Sequence, residues 1–171
     1  RISRTAYVNV DRLLVFPMFG FTTLGNYELG LQIILLANVF SVFIHLYTVP
    51  KDSKNQSTRK IKFYAILLSI IVSVLVVFFA PTFVPMFFSQ FTESVDLIPI
   101  LGLSIVPHML IMLHMSKFFG SEKTKPILFG AILHLIFFIV AIVILGDIFS
   151  ITGIAISFVL SEIVESIYLL V

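Results

Sequence analysis

Residues 63–81 read FYAILLSIIVSVLVVFFAP, and the absence of charge continues as far as Thr92. On a soluble domain, such a stretch would leave a large apolar face in water. A helix crossing ~30 Å of hydrocarbon needs about 20 consecutive apolar residues, and this stretch supplies them. The run 63–92 is too long for one span. Pro81 and Pro85 are expected to end the span, leaving Phe83 to Thr92 as a short interfacial helix or re-entrant piece. Outward from here the pattern repeats. Further charge-free runs cover 29–50, 97–116, 126–146 and 148–161, and an apolar stretch near 5–20 holds only the charged pair Asp11–Arg12. The sequence thus predicts six helices, near 5–20, 25–49, 62–81, 97–116, 126–145 and 151–171. The fold class is all-α: a polytopic membrane protein built as a six-transmembrane-helix bundle.

Composition agrees. Of 171 residues, 59% are hydrophobic and 12% are charged, about half the charged share of a soluble domain. So few charges cannot cover a water-exposed surface, which excludes a soluble enzyme, a nucleic-acid binder and a disordered tail. Cysteine is absent, so disulfides, thiol nucleophiles and thiolate metal sites are excluded. The chain opens on Arg1 and closes on Val171 inside an apolar run, and is expected to be a piece of something longer.

Helix breakers sit between the runs: Gly20 and Gly25, Pro50, Pro81 and Pro85, Pro126, and Gly146 before Asp147. The charges then set an orientation. Apart from Arg12, every basic residue falls at the start or in the segments 51–62 and 117–125, while the alternate loops hold Glu93, Asp96 and Asp147 and no Lys or Arg. Basic loops stay in the cytoplasm, so both ends of the chain are expected there, in a multi-pass protein of the cytoplasmic membrane.

Ionisable groups at membrane depth cost several kcal/mol unless paired or hydrated. Asp11 and Arg12, neighbours about 100° apart on a helix, therefore invite two readings. Arg12 attracts an anionic substrate group while Asp11 binds a coupling cation or orients the arginine; or the pair is structural, with Arg12 snorkelling to the nearby surface. On the second predicted helix, Tyr27, Asn38, Ser41 and His45 fall within about 60° of one another, with Glu28 and Gln32 on an adjoining strip. Such a stripe lines a cavity or carries interhelical hydrogen bonds. On the fourth helix His108 lies beside Pro107, where a bend frees carbonyls; it is a candidate for proton or substrate binding, or a histidine satisfied by hydrogen bonds. His134 admits the same two readings. Gly153, Ser157, Ser161 and Glu165 recur every fourth residue, a small-residue face for close packing, and Glu162 and Glu165 are near enough to a helix end to reach water. Neither paired-histidine metal spacing nor GxSxG, GxGD and phosphate-binding glycine motifs occur, so no enzyme activity, cofactor or metal is expected.

The order of these features resembles a known family. The stretch AYVNVDRLLVFPMFGFTTLGNYELGLQIILLANVF, residues 6–40, resembles the helix pair that opens the C-terminal lobe of polysaccharide flippases, the Wzx-like oligosaccharide-lipid transporters of the MATE-related superfamily. There an Asp-Arg is followed, about a dozen residues on, by Leu-Gly-x-Tyr; here these are Asp11–Arg12 and Leu24–Gly25–Asn26–Tyr27. Pro50 and a basic loop follow as in the family. FFSQFTESVDLIPILGLSIVP, residues 87–107, looks like the lead into its fourth lobe helix, although Ser89, Gln90 and Phe91 replace the usual glycine and aromatic. Gly120 to Lys123 match a short turn, and ITGIAISFVLSEI, residues 151–163, is similar to its glycine-alanine helix start. The ordered set spans the whole chain.

The resemblance implies one lobe of a two-lobe, alternating-access transporter, with the missing N-terminal lobe on the same chain. A lipid-linked sugar would pass its polar head through the cavity while its tail stays among membrane lipid, with H⁺ or Na⁺ as a possible coupling ion. Arg12 and the Asn38–His45 stripe would then supply part of a polar path for the diphosphate-sugar head. Two alternatives remain open: a cation-coupled multidrug exporter of the same superfamily, using Asp11 or Glu28, and a polytopic glycosyl- or acyltransferase.

Overall fold

The structure, a computed structural model, describes the backbone of residues 2–91 and 93–171, and side chains from Val15 onward apart from Thr92. It is all-α. The helices are α1 (Ile2–Ala37), α2 (Val39–Ser53), α3 (Arg59–Phe87), α4 (Ser94–Gly102), α5 (Ile105–Gly120) and α6 (Lys125–Leu170). The protein is a membrane protein by the character of these helices. Both α3 and α6 are long and apolar enough to cross a bilayer, and the bent pairs α1–α2 and α4–α5 reach that length when each pair is taken as one broken span.

With 46 residues, α6 would be roughly 70 Å long if straight, more than twice the hydrocarbon thickness. It is doubled back instead. Ser150 leaves helical geometry at φ 54 and ψ −130, and the second arm returns against the first. Leu169 faces Gly130, Phe158 packs edge-on against Phe138, and Gly153 reaches the turn itself. A Cβ on Gly153 would lie 2.0 Å from the Leu145 carbonyl oxygen, so the turn closes only around a glycine. The arms 125–149 and 151–170 correspond to the fifth and sixth predicted helices, joined by a sharp reversal rather than by a 146–150 loop. Gly20, at φ 81, interrupts α1 in the same manner, where the sequence suggests a loop over 20–25.

Three boundaries differ from the sequence reading. The helix expected over 25–49 is broken at Asn38, with a 43° bend between its parts. It also runs through Pro50 to Ser53, whose hydroxyl donates to the Pro50 carbonyl. The third helix passes Pro81 and Pro85 and ends at Phe87, so Phe83 to Phe87 continue the span rather than forming a separate interfacial piece. Proline removes one N–H and crowds the carbonyl four residues earlier, and near a helix end that disturbance does not stop the helix. The fourth predicted helix is split into α4 and α5 with a 42° bend. Pro107 accounts for that split: its ring crowds the carbonyl of Leu103, and Leu103–Ser104 is where the helix breaks.

The two broken spans pack side by side and run in the same direction. The Ser94 N–H donates to Asn26 Oδ1 at 3.1 Å, Gly30 faces Leu101 and Ile98, and His45 meets Met112. The Asn38 and Leu103–Ser104 breaks thus lie between the same two contacts, Gly30 on Leu101 and His45 on Met112. At the second break the loosened backbone is re-satisfied by hydroxyls: Ser73 Oγ donates to the Gly102 carbonyl at 2.8 Å, and Ser104 Oγ donates to Leu101 at 2.7 Å. Val15, Tyr27, Ile34, Leu97, Leu101, Ile105, Phe138, Ile142 and Ile154 form the core around them. On α3 only Ala65, Ser69, Ser73 and Val84 are buried. Its other side displays Phe63, Leu67, Val74, Phe78 and Phe79, as a lipid-facing helix does.

The bundle has one basic end. It gathers the 51–62 and 117–125 segments, while the Gly20 and Ser150 reversals and the turn over 88–91 occupy the other. At the basic end Asp52 is a latch. It accepts hydrogen bonds from Lys62 Nζ at 2.8 Å, Thr58 Oγ1 at 2.7 Å and Ser116 Oγ at 2.8 Å. Burial pushes the Asp52 carboxyl upward, but these bonds and the Lys62 charge outweigh it and hold it below the ordinary 3.8. Gly120 packs directly on Ser53, leaving no room for a Cβ.

Candidate functional site

The polar stripe on the second predicted helix is spread across the α1–α2 break. Tyr27 is fully buried in the core, and Ser41 and Asn38 are buried as well. The half-buried His45 directs Nδ1–H at the Met112 carbonyl of α5, 3.0 Å away, and its ring meets Phe119 edge-on at 5.9 Å. Asn38 Oδ1 and Ser41 Oγ have no hydrogen-bond partner, although both atoms are shut off from solvent. Orphaned polar atoms beside a helix break cost free energy that an apolar residue would not. Glu28 is half-buried and Gln32 exposed.

A second group escapes a reading of the sequence. Glu162 and Glu165, expected to reach water, are buried instead. Helical spacing puts them on one face of the second arm of α6, and each meets a histidine from another helix. His108 Nδ1 on α5 lies 3.3 Å from Glu162 Oε1, and His134 Nδ1 on the first arm of α6 lies 3.1 Å from Glu165 Oε2. Ser161 Oγ sits 3.2 Å from His134 Nε2, and Phe158 closes over the His134 ring at 6.2 Å. Ser157 and Ser161 are fully buried, so the small-residue face packs as its spacing suggests. It thereby carries the two carboxylates inward. His108 and Glu162 are both residues the sequence exposes, but their pairing joins positions far apart in the chain, and no local spacing signals it. His114, by contrast, bonds to the Leu110 carbonyl of its own helix.

Asp11 and Arg12 lie outside the residues whose side chains are described. Among the described residues, Glu162 and Glu165 are the buried members of the Asp, Glu, Lys and Arg set, and no group of three or more His, Asp or Glu is placed to hold a metal ion. Arg59, Lys60, Phe63 and Tyr64 line a shallow pocket on the basic end, an arrangement typical of a membrane–water interface.

Comparison with family models, curated proteins and solved structures finds no match to this chain.

Proposed function

We propose that this chain is a lobe of an alternating-access membrane transporter, working without covalent chemistry, and that its cargo is a lipid-linked oligosaccharide. The observation that carries the transport reading is the side-by-side pair of broken spans, with breaks at Asn38 and at Leu103–Ser104 packed at matching depth. Transporters place discontinuous helices where a bundle must bend and where polar backbone lines a path. Buried ionisable pairs in the same bundle support it, since intramembrane charges mark ion and substrate routes.

The cargo rests on the resemblance of the Asp11–Arg12 and Leu24–Gly25–Asn26–Tyr27 stretches to polysaccharide flippases. In this reading the basic end faces the cytoplasm, a second lobe completes the cavity, and Arg12 attracts the diphosphate of the cargo. Replacing Asp11 or Arg12 in the complete protein then abolishes surface polysaccharide while membrane insertion persists. Normal polysaccharide from both variants would refute this site.

A second reading, export of small cations, is favoured by the acidic character of the described interior, where Glu162 and Glu165 are buried. Uptake of a lipophilic cation dye by inverted vesicles, lost on replacing those glutamates, would select it.

A further inference from the structure

The first two turns of α3 sort their side chains by direction. Lys62 turns inward and is held by the Asp52 carboxylate at 2.8 Å. Arg59 and Lys60 lie on the other side of the helix, exposed, and make no hydrogen bond or ion pair among the described residues. Each stands four residues before an aromatic side chain, Phe63 and Tyr64 respectively, so one helical turn of about 5.4 Å separates the cations from the rings. The four residues line a shallow pocket. Phe63 and Tyr64 are each 65% exposed, and their rings meet edge-on at 5.9 Å. Deeper along the span, Leu67, Leu68 and Ile71 continue the same exposed side, whereas Ala65, Ser69 and Ser73 are buried on the opposite one.

The outer side of α3 therefore runs from two cations, through an aromatic pair, to uncovered aliphatic surface. A molecule with an anionic head and apolar tails matches that order. A soluble anion leaves the rings and the aliphatic surface unused, and a zwitterionic lipid brings a further cation against two that have no counter-charge. Neither acidic residue of this end neutralises the pair. Asp52 is committed to Lys62, Thr58 and Ser116, and Glu122, in the turn after α5, forms no ion pair with either cation.

We propose that the outer side of α3 holds an anionic phospholipid. Arg59 and Lys60 take the phosphate, Phe63 and Tyr64 take the glycerol-ester region, and the aliphatic strip carries an acyl chain. Arg59 offers paired planar donors and Lys60 a point charge, while aromatic rings settle at headgroup level. The site lies on the outside of the bundle, apart from the interior path proposed for cargo, and requires only that α3 spans the membrane.

The test places the complete protein in phosphatidylcholine nanodiscs holding a trace of photoactivatable phosphatidylglycerol or, in a parallel sample, photoactivatable phosphatidylcholine. Mass spectrometry then reads the label attached within residues 63–71. Each basic residue near the headgroup strengthens such binding about 5-fold, so phosphatidylglycerol is expected to label this segment about 25-fold more than phosphatidylcholine. Arg59→Gln with Lys60→Gln removes the preference. Lys123→Gln with Lys125→Gln takes the same charge from the same end and keeps it. Arg59→Gln alone lowers the preference about 5-fold, and serves if the double variant does not fold. Equal labelling by both lipids in the unaltered protein, an undiminished preference without Arg59 and Lys60, or an equal loss without Lys123 and Lys125 overturns the proposal. So does loss of the labelling when inorganic phosphate is added, which would assign the pocket to a soluble anion. No cargo is present, so the result is independent of whether the protein moves a lipid-linked oligosaccharide.

Discussion

Glu165 on the returning arm of α6 places its carboxylate 3.1 Å from Nδ1 of His134 on the outgoing arm. The contact exists only because Ser150 reverses the chain and Gly153 lets the arms close. Removing one partner takes this contact away from a buried group. His134→Ala is expected to destabilise the protein by about 1–3 kcal/mol, with Glu165→Gln milder because the amide still fills the site. Thermal aggregation of detergent-solubilised variants measures both; equal, negligible losses would show that the pair contributes nothing.

The hairpin makes a sharper demand on Gly153. A methyl group there would collide with the Leu145 carbonyl rather than with a flexible side chain. Gly153→Ala should therefore cost at least the upper part of the usual ~1–3 kcal/mol for overpacking. The Gly20 position has open space around it, yet its φ of 81 disfavours alanine by ~1–2 kcal/mol. A melting temperature unchanged in Gly153→Ala would contradict the hairpin turn.

Ser41 gives a prediction of opposite sign. Its hydroxyl is buried without a partner, so Ser41→Ala is expected to leave stability unchanged or raise it by about 1 kcal/mol. Thermal unfolding of the two proteins side by side makes the comparison. A loss larger than about 1 kcal/mol would mean that the hydroxyl is satisfied in the working protein.

Asp52 sets the acid limit of the basic end. Its folded carboxyl is held below 3.8, so its contribution is complete above that value and is lost as pH falls through the lower folded value. Asp52→Asn should cost about 1–2 kcal/mol at neutral pH, and the difference from the parent protein should begin to shrink as pH falls below 3.8 and disappear only below the lower folded value. A difference that persisted in acid would assign the effect to packing.

Much of the architecture is legible in the sequence because bilayer thickness enforces it. Charge-free runs must be about as long as a span, and basic residues must collect at one end. The breaks are harder to read. Pro107 announces a bend, but proline acts on the carbonyl four residues earlier, so the break falls at Leu103–Ser104. The Asn38 break has no proline to announce it. Pro50, Pro81 and Pro85 look like stops but lie within helices, near their ends. Polar residues are legible as residues, not as partners. His108 and His134 stand out by type, yet Glu162 and Glu165 look like groups near a helix end that could reach water. Only the three-dimensional closure of the α6 hairpin and its packing on α5 turns them inward.

The proposed transport of a lipid-linked oligosaccharide is tested most directly by the leaflet in which that lipid resides. Cells lacking the protein should accumulate the lipid-linked oligosaccharide on the cytoplasmic leaflet and lose surface polysaccharide, and restoring the protein should return the oligosaccharide to the outer leaflet. An unchanged leaflet distribution with intact surface polysaccharide would contradict the account.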